Sequence, residues 1–200
     1  MAWGDMPYGV KIYIWKFDPR ALVSSSYNVG HAAIFIATDG SSGTPIRNSY
    51  LSWWPKDGVG SLGNIAHDRP RAYGKRGKEA TRDDHRPDQA RTTDKEREEG
   101  SADYKFRIMA GISPALMHMF VDELVAGSVK TSMLAKPSAY NFLHQSCSTT
   151  VAHCLRAGGA NVYVPWPDHS IWTPNDVLSY VRSLVLAIAL KHPGKAATVR

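Results

Sequence analysis

The sequence predicts an α+β fold in which an antiparallel sheet and a set of helices are segregated. Three observations predict it. Short β-prone runs separated by turn residues fill the chain up to Trp54. The segments after Ser113, Cys147 and Thr173 repeat their apolar residues at helical spacing. One further strand-like run, Tyr104 to Met109, stands between the two regions. With 200 residues and 43% hydrophobic content, the chain can bury one full core, so a single domain over 1–200 is expected.

The elements follow in order. Val10 to Phe17 sets Val10, Ile12 and Ile14 against Lys11 and Tyr13, the two-residue period of a strand. Gly30 to Thr38, GHAAIFIAT, is a second β-prone run. The turn-rich Asp39-Gly40-Ser41-Ser42-Gly43 and a third run, Ile46 to Trp54, follow it. The pair reads as a hairpin whose first strand opens with His31, and the strand at Val10 is expected to pair with it.

From Lys56 to about residue 103 glycines and charges take over. Arg71 to Gly100 holds almost no large apolar side chain and cannot offset the entropy of its own ordering. A flexible charged insertion is expected there, with a substrate-covering lid as the functional alternative. Strand character returns in YKFRIM, 104–109. Ser113-Pro114 then begins a helix in the favoured cap-then-proline order, with Leu116, Phe120, Leu124 and Val125 on one face.

A further helix should start at Cys147. Val151, Ala152, Leu155 and Ala157 recur at helical spacing, and Gly158 and Gly159 supply the stop. Asn161 to Pro167 reads as a short extended piece. Thr173-Pro174-Asn175-Asp176 is a cap, a first-turn proline and an acid at the third position, so the last helix starts there and runs toward Leu190. Its apolar run, Leu184 to Leu190, is far shorter than the roughly 20 residues of a membrane span. The tail from Lys191 is expected to be loose.

Chemistry concentrates at Cys147. A thiol in the first turn of a helix feels the positive end of the dipole and the unpaired N–H groups, which favour thiolate. The same N–H groups can hold the oxyanion formed when a thiolate attacks an acyl carbon, and His144 or Gln145 can add a second donor. A nucleophile needs a base, and His31 at the start of a strand supplies an imidazole. Cys154, the other cysteine, lies one helical heptad on, roughly 10 Å away, too far for a disulfide. It is expected to pack in the core. No cofactor and no metal are expected, since no Cys-x-x-Cys site exists.

The order of histidine on a strand, hairpin, then cysteine at a helix start resembles the circularly permuted papain-like hydrolases of the NlpC/P60 superfamily, in the branch with lecithin:retinol acyltransferase-like enzymes. The matching blocks are HAAIFI at 31–36, LSWWP at 51–55 and SCSTT at 146–150. The resemblance implies a papain-like fold with Cys147 as nucleophile and His31 as base. Aligning Pro55 with the family's proline puts Ser52 at the third, imidazole-orienting position, in place of the usual His, Asn or Asp. Ser146 likewise replaces Asn or Asp. Hairpin register is not fixed by sequence, so Ser49, Tyr50 and Asn48 stay open for the third role. Tyr140 resembles the tyrosine that precedes the nucleophile in many such enzymes and is a substrate or oxyanion contact on that basis.

The resemblance implies a cysteine hydrolase that cleaves amide bonds, with peptidoglycan peptides as the first substrate. A net charge of +6 and a pI near 9.3 suit an anionic cell-envelope partner. No nucleic-acid-reading motif stands out. The start MAWGDMPYGVKIYIWKF has no secretory signal pattern, so the chain is expected to be made in the cytoplasm. By analogy it would be an antibacterial effector, exported by a dedicated secretion system into a target cell and matched by an immunity protein. A lipid acyltransferase or thioesterase is the alternative enzyme, suggested by the same spacing and by Trp53-Trp54. A non-enzymatic binding module, with Ser52 marking a degraded triad, is the alternative outside enzymes.

Overall fold

The computed structural model describes residues 8–16, 30–38, 47–52, 71–74, 101–125, 146–168, 171–193 and 198–199, with 71–74 and 198–199 described as backbone only. Its strands are β1 (Gly9–Trp15), β2 (His31–Thr38), β3 (Arg47–Ser52), β4 (Arg71–Gly74), β5 (Tyr104–Ile108) and β6 (Thr198–Val199). Its helices are α1 (Pro114–Val125), α2 (Cys147–Ala157) and α3 (Pro174–Lys191). A short 3₁₀ turn, Ala160–Val162, follows α2. The fold is α+β, with a sheet of strand order β4-β3-β2-β1-β5-β6 in which neighbours run antiparallel.

Period-two patterning fixes which face each side chain takes. Val10, Ile12 and Ile14 of β1 line up with Ala32, Ile34 and Ile36 of β2, with Leu51 of β3 and with Phe106 and Ile108 of β5. These residues meet Met117, Val121 and Leu124 of α1, Val151 and Leu155 of α2, and Val177, Val181, Leu184 and Ile188 of α3 in one core. Each large side chain buried there is worth about 1.5–3 kcal/mol. The opposite face carries Tyr13, Trp15, Ala33, Tyr50 and Ala102 as a second apolar cluster. The alternation in β1 therefore does not separate core from solvent. Tyr13 and even Lys11 are buried, the Lys11 ammonium lying 5.4 Å from the centre of the Phe35 ring. A central strand with both faces covered buries its polar positions too.

Four expectations are corrected by the structure. Arg71–Gly74 lies within the stretch expected to be a flexible insertion, yet it pairs as an edge strand with β3, Tyr50 facing Tyr73. A ladder needs only backbone groups, so poverty in apolar side chains does not forbid it. The tail is likewise pinned where Thr198–Val199 pairs with Phe106 and Arg107. The piece after α2 is not extended, because Gly159 takes a left-handed conformation (φ 92°) and the chain closes 3₁₀ bonds from Val162 to Gly159 and from Tyr163 to Ala160. In α1 the buried stripe runs through Met117, Val121 and Leu124 with Phe120, leaving Leu116 exposed.

α3 begins as its sequence dictates. The Thr173 hydroxyl accepts from the Asp176 N–H while the Asp176 carboxylate accepts from the Thr173 N–H, a reciprocal capping box with proline in the first turn. Its core face is Val177, Tyr180, Val181, Leu184 and Ile188, and Leu186 and Leu190 point outward. Among the described residues no helix is long and apolar enough to cross a membrane.

Candidate active site

The first turn of α2 is built by the residue before it. Ser146 is extended (φ −93°, ψ 174°), and its hydroxyl accepts from the Thr149 N–H at 3.3 Å. The same hydroxyl donates to the Trp172 carbonyl at 3.4 Å, which ties this helix start to the segment that leads into α3. The Thr150 hydroxyl donates back to the Ser146 carbonyl at 3.0 Å. Serine thus does the capping work expected of Asn or Asp at this place. Cys147 is the first residue of α2 and only 6% exposed.

His31 enters from the other side. Gly30, with φ of 70°, turns the chain into β2, and His31 is its first residue. Its Nε2 lies 3.0 Å from the Ser52 hydroxyl, both groups buried. Nε2 is engaged by Ser52, and the same ring also hydrogen-bonds the Cys147 thiol. When Nδ1 accepts the thiol proton, Nε2–H is the donor and the Ser52 hydroxyl the acceptor.

The electrostatics of the thiol follow from these neighbours. Burial by itself pushes the Cys147 thiol up. The charge of His31 and its hydrogen bond act in the opposite direction, joined by the Ala32 backbone N–H and the Ser148 hydroxyl. Together they outweigh burial and hold the thiol below its ordinary value. The Ser148 hydroxyl lies 3.9 Å from the sulfur. Cys154 has no such company, and burial alone pushes its thiol far up, as suits a core residue at 0% exposure.

Register decides among the serines and their neighbours on β3. Ile34 pairs with Leu51, so Ser52 falls near the start of β2, where His31 is. Ser49 pairs with Ile36, five positions along β2 from His31 and roughly 17 Å away at the rise of a strand, and it projects from the opposite face. Tyr50 faces Phe35 and its ring meets Tyr13, with centroids 5.9 Å apart. Asn48 faces Ala37. The structure therefore brings together Cys147, His31 and Ser52, and not Ser49, Tyr50 or Asn48. Tyr140, His144, Gln145, Trp53, Trp54 and Pro55 lie outside the described residues.

Three participants escape the sequence reading. The Ala32 N–H reaches the sulfur from the backbone, where residue type carries no signal. Trp15 stands opposite His31 in the ladder, with ring centroids 5.4 Å apart and planes at 45°. Trp172 presents the carbonyl that holds Ser146. Trp15 was visible as an odd-numbered position of an alternating strand, but its partner depended on a register that no single strand specifies. Among the described residues no three His, Cys, Asp or Glu side chains converge to hold a metal ion.

A thiol lowered toward thiolate, an imidazole with its second nitrogen anchored, and the N–H groups of a helix start are the components of acyl transfer through a thioester. The chain matches the family model of the IcsB middle domain over residues 6–138 and 121–199. No curated protein and no solved structure matches the chain significantly.

Proposed function

The chain belongs to the IcsB middle-domain family, and we propose that it is a cysteine hydrolase in which Cys147 attacks an amide or ester carbonyl and His31 is the base. The family name specifies no reaction. What supports this one is a single observation: Cys147 opens a capped helix beside His31, whose other side is tied at Nε2 to the Ser52 hydroxyl at 3.0 Å, and His31 and the Ala32 N–H pull the buried thiol down.

His31 takes the thiol proton on Nδ1, and the Cys147 sulfur bonds to the carbonyl carbon. The carbonyl oxygen becomes an oxyanion beside the backbone N–H of Cys147, one of the unpaired donors at the start of α2. As the tetrahedral species collapses, the imidazolium gives its proton to the leaving amine or alcohol, and a thioester remains on Cys147. Water, deprotonated by His31, then releases the acid and restores the thiol. Ser52 holds the ring through Nε2–H and takes no proton.

The proposed substrate is the peptide part of peptidoglycan, a polyanionic envelope polymer that suits a chain of net charge +6. The test has two parts. Cys147 alkylation by iodoacetamide is followed across pH in the native chain and in His31→Ala, and the native midpoint should lie well below the free-thiol value of about 8.5 and rise on loss of His31. A midpoint near that value and indifferent to His31 removes the enzyme and leaves a binding module. Purified protein is then incubated with muropeptides and, separately, with acyl lipids. Release of acyl groups from lipid alone keeps the thiolate chemistry and moves the substrate to the acyltransferase or thioesterase class.

A further inference from the structure

The third group of a thiol–imidazole site usually carries charge or a strong dipole, and here it is a serine hydroxyl. Ser52 hydrogen-bonds Nε2 and, once the ring is protonated, accepts from Nε2–H, but a neutral hydroxyl does little to offset the positive charge that His31 takes on. The structure places another group against that ring. Trp15, the last residue of β1, is the direct ladder partner of His31. Both side chains are buried, at 4% and 1% exposure, and their centroids lie 5.4 Å apart, inside the roughly 6 Å over which an aromatic face attracts a cation.

Among the described residues, Cys147 from α2, Ser52 from β3 and Trp15 from β1 face His31. Lys16, next after Trp15, turns its ammonium to the Tyr104 ring, 5.0 Å from the centroid, and Lys11 places its own over Phe35. Trp15 thus presents a polarisable aromatic surface to the imidazole. We propose that Trp15 is a positioning residue of this site, its indole face steadying the protonated His31 and so supplying the stabilisation that neutral Ser52 does not. The inference deepens the reading of His31 as base and rests on it.

Two effects of removing the indole have opposite signs, which makes the role measurable. If Trp15 stabilises the imidazolium, Trp15→Leu lowers the pH at which His31 loses its proton. If Trp15 merely buries the ring, the same change admits water, relieves desolvation and raises that pH.

The experiment follows the His31 Cε1–H resonance against pH in Cys147→Ala, with and without Trp15→Leu and Trp15→Phe. The Cys147→Ala background removes the coupled thiol. The expected result is a lowered midpoint in Trp15→Leu, largely restored in Trp15→Phe, which keeps an aromatic face. With Cys147 in place, the alkylation rate at pH 6 should fall roughly threefold to tenfold in Trp15→Leu. A midpoint that rises or stays put in a folded Trp15→Leu chain overturns the proposal. Should Trp15→Leu not fold, Trp15→Phe and Trp15→Tyr carry the test, and midpoints unordered by ring type overturn it. Failure of the base assignment is read separately, from His31→Ala leaving wild-type alkylation unchanged.

Discussion

The His31 imidazole and the Ser52 hydroxyl, 21 residues apart in sequence, meet at 3.0 Å inside the protein. Ser52→Ala removes the acceptor from a buried ring N–H, which costs about 1–3 kcal/mol of stability. It also frees the ring to turn, so the rate of Cys147 alkylation at pH 6 should fall. Ser52→Asn offers an amide oxygen at the same reach and should recover most of both losses. Urea midpoints and alkylation rates on the three proteins check this. An unchanged alkylation rate in a folded Ser52→Ala chain would show that the hydroxyl does not orient the base.

Ser146 acts on the nucleophile through the helix. Its hydroxyl caps the Thr149 N–H and reaches the Trp172 carbonyl, so one atom sets both the first turn of α2 and its link to α3. Ser146→Ala should cost about 1 kcal/mol from the lost cap, a fall in Tm of about 2–4 °C for a chain of this size. Ser146→Asp keeps a cap but puts a carboxylate beside the sulfur. Stability should then be retained while the alkylation midpoint of Cys147 rises, a split that thermal melts and pH-dependent alkylation together detect.

Two buried histidines away from the site should make the fold sensitive to acid. Burial, followed by the charge of Arg47, pushes His118 down to about 4, against weaker opposing pulls from the Arg47 backbone and Asp122. Burial, followed by Arg156, does the same to His153, also to about 4. Each is neutral when folded, whereas the unfolded chain binds a proton below about pH 6.5. Stability is therefore full above that pH and is lost as pH falls from about 6.5 to about 4, at up to about 1.4 kcal/mol per pH unit for each proton. Urea titrations at several pH values should show His118→Leu losing about one proton's worth of this slope relative to wild type. Equal slopes would place the acid sensitivity elsewhere.

The sequence made the ends of the main helices legible, because capping is local chemistry. Thr173-Pro174 and Asp176 announce α3, and the helical spacing of Val151, Ala152 and Leu155 with the Gly158-Gly159 stop announces α2, whose Ser146 cap only the structure shows. The hairpin that carries His31 was legible from its β-prone runs and the turn residues between them. What lay beyond the sequence depended on partners. β4 is a strand only because β3 offers it a backbone edge, and β6 only because β5 does. The choice of Ser52 over Ser49 is a matter of register, in which a slip of one residue exchanges the faces. The stripe of α1 was misassigned at Leu116 because the neighbouring row through Met117 and Val121 is equally apolar, and the sheet selects between them.

The two cysteines share one helix and differ in everything that controls reactivity. Cys147 lies at the N-terminal end of α2 with His31 and the Ala32 N–H drawing it toward thiolate, while Cys154 lies two turns on, at 0% exposure, with burial pushing its thiol far up. Iodoacetamide at pH 7 should therefore add one carbamidomethyl group to the folded chain, and peptide mapping should find it on Cys147. The second should appear only with urea, in step with the unfolding transition, because Cys154 must leave the core before it can ionise. His31→Ala should slow the first addition and leave the second tied to unfolding. Labelling of Cys154 at a rate comparable to Cys147 in the native chain would mean that α2 opens far more readily than its packing against the sheet implies.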